Sequence, residues 1–175
     1  LGLDNYLRIF TDPSVFTSLR VTLTFAGAVV AAELILGIAL AFLVEKGVRG
    51  LAIFRTIFIL PMMIAPVVVG LIWRYLYDTR FGLINYLLTK IGLGAQLWLA
   101  SPDLSLPAII IADIWQWTPF IFIIILAGLQ SLPASAVEAA RVDGCSVLQI
   151  IFHIKLPLLL PVITVALLLR LIDAF

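Results

Sequence analysis

Four ionisable residues, Glu33, Asp113, Arg170 and Asp173, sit inside runs that are otherwise apolar. Charge in such a setting is costly, so these residues pair with one another, face water or mark a solute pathway. Each equally suits the role of a structural hydrogen-bonding partner. Around Asp113 the sequence reads DIWQWTPF, which places Trp115, Trp117 and Phe120 beside the polar Asp113 and Gln116. Flat apolar faces next to hydrogen-bonding groups suit a sugar ring. The plainer alternative is an aromatic cluster packed between helices, since one helix cannot turn all of these rings to one cavity. The candidate pathway lining is therefore Asp113, Trp115, Gln116, Trp117, Glu33, Arg170 and Asp173. No metal site is expected.

A second stretch, EAARVDGCSVLQIIFHIKLP, runs from Glu138 to Pro157 and interrupts the apolar runs with a different pattern. Ser131 can cap a helix, Pro133 can sit in its first turn, and Glu138, Ala139 and Ala140 continue it with small side chains. Asp143 and Gly144 end it, because glycine reaches the left-handed conformation that closes a helix without steric cost. Val147, Ile150, Ile151 and Ile154 then recur at helical spacing and make one apolar face. The spacing predicts a helix, a sharp turn and a second helix on the membrane surface, with alanines that allow another protein to approach closely. Glu138 taken alone reads as a charge on a solvated helix face, and Cys145 as a small residue beside a turn.

The elements that must carry these residues follow from composition. The chain is 63% hydrophobic and 12% charged, with a mean hydropathy of +1.21, far from a soluble domain with about a quarter of its residues charged. Lipid is its solvent. A net charge of +1 without blocks of like charge gives no reason to expect a nucleic-acid partner. The single cysteine, Cys145, rules out an intrachain disulfide and argues against a cysteine metal site. The chain opens on Leu1 and stops at Phe175 within an apolar run, which reads as a fragment truncated at both ends, a single membrane domain over 1–175.

Asp12 and Pro13 predict the start of a helix that runs into the apolar stretch Val21 to Val44. Those 24 residues extend about 36 Å as a helix, enough to cross a hydrocarbon core of roughly 30 Å. A polar hairpin with Lys46, Arg49 and Arg55 leads to a second span from about Thr56 to Tyr77, kinked at Pro61 and Pro66 and ending in an aromatic belt of Trp73, Tyr75 and Tyr77. Within the connection 78–105, Ile84, Leu87, Leu88 and Ile91 predict a short helix on the membrane surface. A third span covers about Leu106 to Leu129 and a fourth starts near Leu156. The fold class expected is an all-α polytopic transmembrane bundle with about four spans visible. Charge counting leaves its orientation open, with only the basic hairpin favouring the cytoplasmic side.

Glu-Ala-Ala, three residues, Gly, nine residues, Ile, one residue and Leu-Pro is the signature of the permease subunits of binding-protein-dependent ABC importers, and this sequence resembles that family. The matching positions are Glu138, Ala139, Ala140, Gly144, Ile154, Leu156 and Pro157. FRTIFILPMMIAPVVVGLIWRYLY, WQWTPFIFIIILAGLQSLP and LPLLLPVITVALLLRLIDAF extend the similarity along the chain, toward the carbohydrate-uptake branch of maltose and glycerol-phosphate type. The resemblance implies a multi-pass protein of a prokaryotic cytoplasmic (inner) membrane, with residues 130–157 as a cytoplasmic ATPase-docking loop. It implies further spans before Leu1 and after Phe175, and as partners a second permease subunit, two ATPase subunits and an extracytoplasmic substrate-binding protein. The expected role is translocation of a sugar or sugar-like solute. An importer of another solute (glycerol phosphate, a polyol, an amino acid) and an ion-coupled secondary transporter using Glu33 or Asp113 are the rivals. Lys46, Lys90 and Lys155 are the only lysines and none follows a glycine, so the chain has no Walker A loop. It is expected to be non-catalytic and to bind no cofactor, with ATP and Mg held by the partner ATPase.

Overall fold

Asp12 and Pro13 open a helix as expected. In the computed structural model, which describes residues 9–45 and 51–175, helix α1 covers Pro13–Glu45, and the Asp12 Oδ1 atom accepts the Ser14 N–H at 2.8 Å. Hydrogen bonds from Ser14 hold the Asp12 carboxyl below its ordinary pKa. Lys46 and Arg49 of the expected hairpin lie outside the described residues. One stripe of α1 turns inward, and its residues Ala26, Val29, Val30, Glu33, Gly37, Ala41 and Val44 recur at three- and four-residue spacing.

That stripe packs along α5, Pro102–Ser131. The core is built from Ala41 and Val44 of α1, Ile121, Phe122, Ile125, Leu126 and Leu129 of α5, and Leu159 and Ala166 of α8, Leu156–Ala174. At Gly37 the two helices nearly touch: a Cβ there would lie 2.6 Å from Ile121 Cγ2 and 3.0 Å from the Phe122 backbone nitrogen. Small residues at such crossings let membrane helices gain dispersion contacts where lipid supplies no hydrophobic drive. Helix α2, Leu51–Met63, adds Phe54 and Phe58, stacked on each other at 5.4 Å and set edge-on to Phe122.

The second span is broken rather than kinked. Helix α2 ends at Met63 and α3, Pro66–Leu76, departs at 97° to it. Proline drives the residue before it out of the helical region, and Ala65 is accordingly extended (φ −57°, ψ 135°), with Pro66 in the first turn of α3. Three helices, Pro13–Glu45, Pro102–Ser131 and the continuous Val147–Ala174, are long and apolar enough to cross a membrane, and the broken pair can make a fourth span. The described residues contain no strand. The fold is an all-α bundle of membrane helices.

The aromatic belt is only partly at the surface. Tyr75 is 65% exposed, whereas Tyr77 is buried and its hydroxyl donates to the Ala108 carbonyl at 2.9 Å. Trp73 packs inward against Tyr77 and Trp115, with ring centroids 5.3 and 5.8 Å apart. The short helix of the connection is α4, Leu83–Lys90. On its apolar face Leu87 and Ile91 are exposed and Ile84 and Leu88 half-buried, and the buried residue is Asn85. The Asn85 amide donates to the carbonyls of Asp78 and Gln96, while its oxygen accepts the Gln96 N–H and the Trp98 indole N–H. One buried amide thereby ties the connection together.

Candidate functional site

The stretch expected to dock an ATPase folds into helix α6, Ala134–Val142, a turn, and a second helical segment, α7, Val147–Ile150. Ser131 is the last residue of α5, its hydroxyl donating to the Gly128 carbonyl, and Pro133 stands at the cap position instead. Gly144 has φ +80°. Its N–H donates to the Arg141 carbonyl at 3.1 Å, and the Cys145 N–H reaches the Ala140 carbonyl at 2.9 Å. These two bonds form the Schellman closure of a helix, in which the penultimate carbonyls are satisfied by a residue in left-handed conformation.

Two residues later the next helix is capped as tightly. The Ser146 Oγ atom accepts the Gln149 N–H, and the Gln149 side chain accepts the Ser146 N–H at 2.7 Å. This reciprocal capping box was legible as Ser-x-x-Gln, a signal the hydrophobic periodicity obscured. A π turn over Ile151–Lys155, in which the Leu156 N–H donates to Ile151 five residues back, continues directly into α8. Pro157 accounts for the widening: it has no N–H for the ladder, and its ring would crowd the carbonyl four residues earlier. The second docking helix and the last described span are thus one rod, which corrects the expectation of a surface helix separate from the span.

Glu138, Ala139, Gly144 and Pro157 are exposed, Ile154 and Leu156 are half-buried, and Ala140 is buried beneath the turn. Beside the turn lies a cleft of about 410 Å³ between the end of α1 and the docking helices, lined by Phe42, Val137, Arg141 and Ile150 among others. Lys155 and Glu45 form an ion pair on its wall.

Deeper in the bundle, the four ionisable residues picked out by the sequence meet. Arg170 of α8 is fully buried and grips the fully buried Glu33 of α1 with two bonds, Nε to Oε2 at 2.7 Å and Nη2 to Oε1 at 3.0 Å. The same Nη2 donates to Asp113 of α5, and Nη1 donates to Asp173, one turn along α8, at 2.7 Å. The Trp117 ring lies 5.2 Å from the guanidinium carbon, a cation–π distance. Three helices are therefore joined at one guanidinium, whose planar fork can serve several carboxylates at once. Two of the carboxylates are not fully enclosed: the Asp113 side chain is 20% exposed and that of Asp173 51%.

Two of the sequence candidates stand apart from it. Gln116 is buried and donates to the Ile64 carbonyl at 3.2 Å, at the break between α2 and α3. It satisfies a carbonyl that the proline break leaves without a helical partner. Trp115 packs edge-on against Trp73.

These features define a class. Residues 33–175 match the family described as "Binding-protein-dependent transport system inner membrane component", and the chain belongs to that family. It is 38% identical over 174 residues to the trehalose/maltose transport system permease protein MalF of Thermococcus litoralis, covering 99% of this chain and 59% of that protein. It is 34% identical over 175 residues to the sn-glycerol-3-phosphate transport system permease protein UgpA of Yersinia pestis, again 59% of the relative's length. Among solved structures, a chain of a bacterial alginate ABC transporter, crystallised with an alginate pentasaccharide-bound periplasmic protein, superposes with a TM-score of 0.88 at 28% identity, over 97% of this chain and 60% of the other. The chain thus spans about three-fifths of the length of these relatives and has the fold of an ABC importer permease, a multi-pass membrane protein.

Proposed function

We propose that this chain is part of the membrane domain of a permease subunit that carries a sugar or sugar-like solute across the cytoplasmic membrane, driven by ATP hydrolysis on separate subunits. The observation that carries this reading is the docking turn. The complete signature from Glu138 to Pro157 is folded as a self-capped helix–glycine–helix unit, with Glu138, Ala139 and Gly144 on its outer surface. Such a surface suits a groove on an ATPase subunit, and its second helix runs without a break into α8. A full importer of this kind has a second permease subunit, two ATPase subunits holding ATP and Mg, and an extracytoplasmic binding protein that delivers solute. This chain supplies no catalytic group.

The trehalose/maltose and alginate relatives favour a carbohydrate solute, and the sn-glycerol-3-phosphate relative keeps glycerol phosphate as the alternative.

Gly144→Val tests the docking role. A Cβ at Gly144 would meet nothing within 4 Å, so the substitution acts through backbone conformation alone. A β-branched residue resists φ +80° at a cost on the order of 1 kcal/mol or more. With the ATPase and binding protein co-expressed, the variant is expected at normal level in the membrane but with ATPase co-purification and solute uptake lost. Normal co-purification with normal uptake would refute the docking role. Uptake that persists without any ATPase would revive an ion-coupled mechanism.

A further inference from the structure

Helices α1 and α8 are tied to each other twice. Inside the bundle the tie is Glu33–Arg170, and at the docking end it is Glu45–Lys155. Glu45 is the last residue of α1 and Lys155 the last of the π turn, 110 positions apart in sequence. The two side chains are only 23% and 12% exposed, so water screens the pair far less than a surface ion pair.

The position of Lys155 gives the pair its meaning. A π turn is a rare, wide turn within an α-helix, and such turns recur at functional sites. Here it lies between the docking turn and the span. It interrupts the regular α-helical hydrogen-bond ladder between that turn and α8. Lys155 pins the far end of the stretch to α1, and Arg141 of the docking helix borders the same cleft.

We propose that the Glu45–Lys155 pair is a strut that makes α1 and α8 move as one body when the docking turn moves, so that ATPase motion reaches the bundle instead of being absorbed in the π turn. This rests on the docking reading above. Glu45 and Lys155 are positioning residues: they touch neither solute nor nucleotide, and their contribution is to coupling.

The test uses the assembled importer, with permease, ATPase and binding protein co-expressed, and compares Glu45→Lys, Lys155→Glu and the double exchange. Membrane level, ATPase co-purification, binding-protein-stimulated ATP hydrolysis and uptake are measured together. Each single reversal is expected to keep co-purification and hydrolysis while uptake falls about tenfold, and the double exchange to recover uptake to within about twofold. Where reversal lowers the membrane level, Glu45→Gln and Lys155→Met remove the charges at similar size and should show the same split. Wild-type uptake in the single variants, or failure of the correctly inserted double exchange to recover, overturns the strut. So does loss of co-purification in the single variants, which would assign the pair to assembly. Gly144→Val measured alongside separates the two readings: if it too leaves co-purification and uptake normal, the docking role falls and the strut with it.

Discussion

Replacing Arg170 with methionine keeps most of the side chain's volume and removes the one cation that, among the described residues, pairs with the three carboxylates of Glu33, Asp113 and Asp173. Glu33, with no exposed surface, would lose both bonds of its bidentate pair, and Asp113 and Asp173 would lose their shared partner. Removing one member of a buried ion pair costs about 3–5 kcal/mol, because the charge left behind has neither partner nor water. At about 2–4 °C per kcal/mol for a domain of this size, the melting temperature of the purified permease should fall by roughly 6–20 °C. Arg170→Lys should fall between the two. An ammonium keeps the charge, but it is a compact point charge and cannot reproduce a planar fork that serves three carboxylates and lies against Trp117. Arg170→Met combined with Glu33→Leu should recover part of the loss, since well-packed apolar groups often replace a buried pair without penalty. The assay is thermal unfolding of the detergent-solubilised complex, with membrane level measured in parallel. A melting temperature for Arg170→Met within about 2 °C of wild type would refute the account of Glu33 as a charge stabilised by this arginine.

Gly37→Val should destabilise the bundle by about 1–3 kcal/mol, because its Cβ would sit 2.6 Å from Ile121 Cγ2 in a filled crossing. Gly27→Val on the same helix, where a Cβ meets nothing within 4 Å, is the matched control in the same melting assay. Cys145, half-buried beside the turn and the chain's single thiol, should be missed by a membrane-impermeant maleimide in intact cells and labelled after permeabilisation, with less labelling when the ATPase is bound. Labelling from outside would reverse the proposed orientation.

What the sequence made legible was local. Asp12–Pro13 announces the start of α1 and Asp143–Gly144 the end of α6, because caps are written in adjacent residues. The apolar runs announce the spans for a similar reason. Glu33, Asp113, Arg170 and Asp173 could be singled out one at a time as costly groups in lipid. Their convergence could not be read, since Glu33 and Arg170 are 137 positions apart and nothing in either neighbourhood names the other. The break at Ala65 looked like a kink because a pair of prolines fits either outcome. Which one occurs depends on whether a neighbour satisfies the exposed carbonyl, and Gln116 donates to it from a different helix. Asn85 escaped notice for a related reason: an amide on an otherwise apolar helical face reads as solvent-facing until the carbonyls and indole that surround it are known.

Every hydrogen bond that shapes the turn between α6 and α7 joins residues no more than five positions apart. The outline of the turn is therefore fixed by about a dozen consecutive residues and owes little to the helices behind it. A partner reading that outline meets a preformed surface and spends no ordering entropy on it. The same short cassette, carried on a bundle with a different interior, would offer that partner the same grip. If the turn is the dock, the features that choose the solute and those that engage the motor lie in separate parts of the chain, and one can drift without disturbing the other.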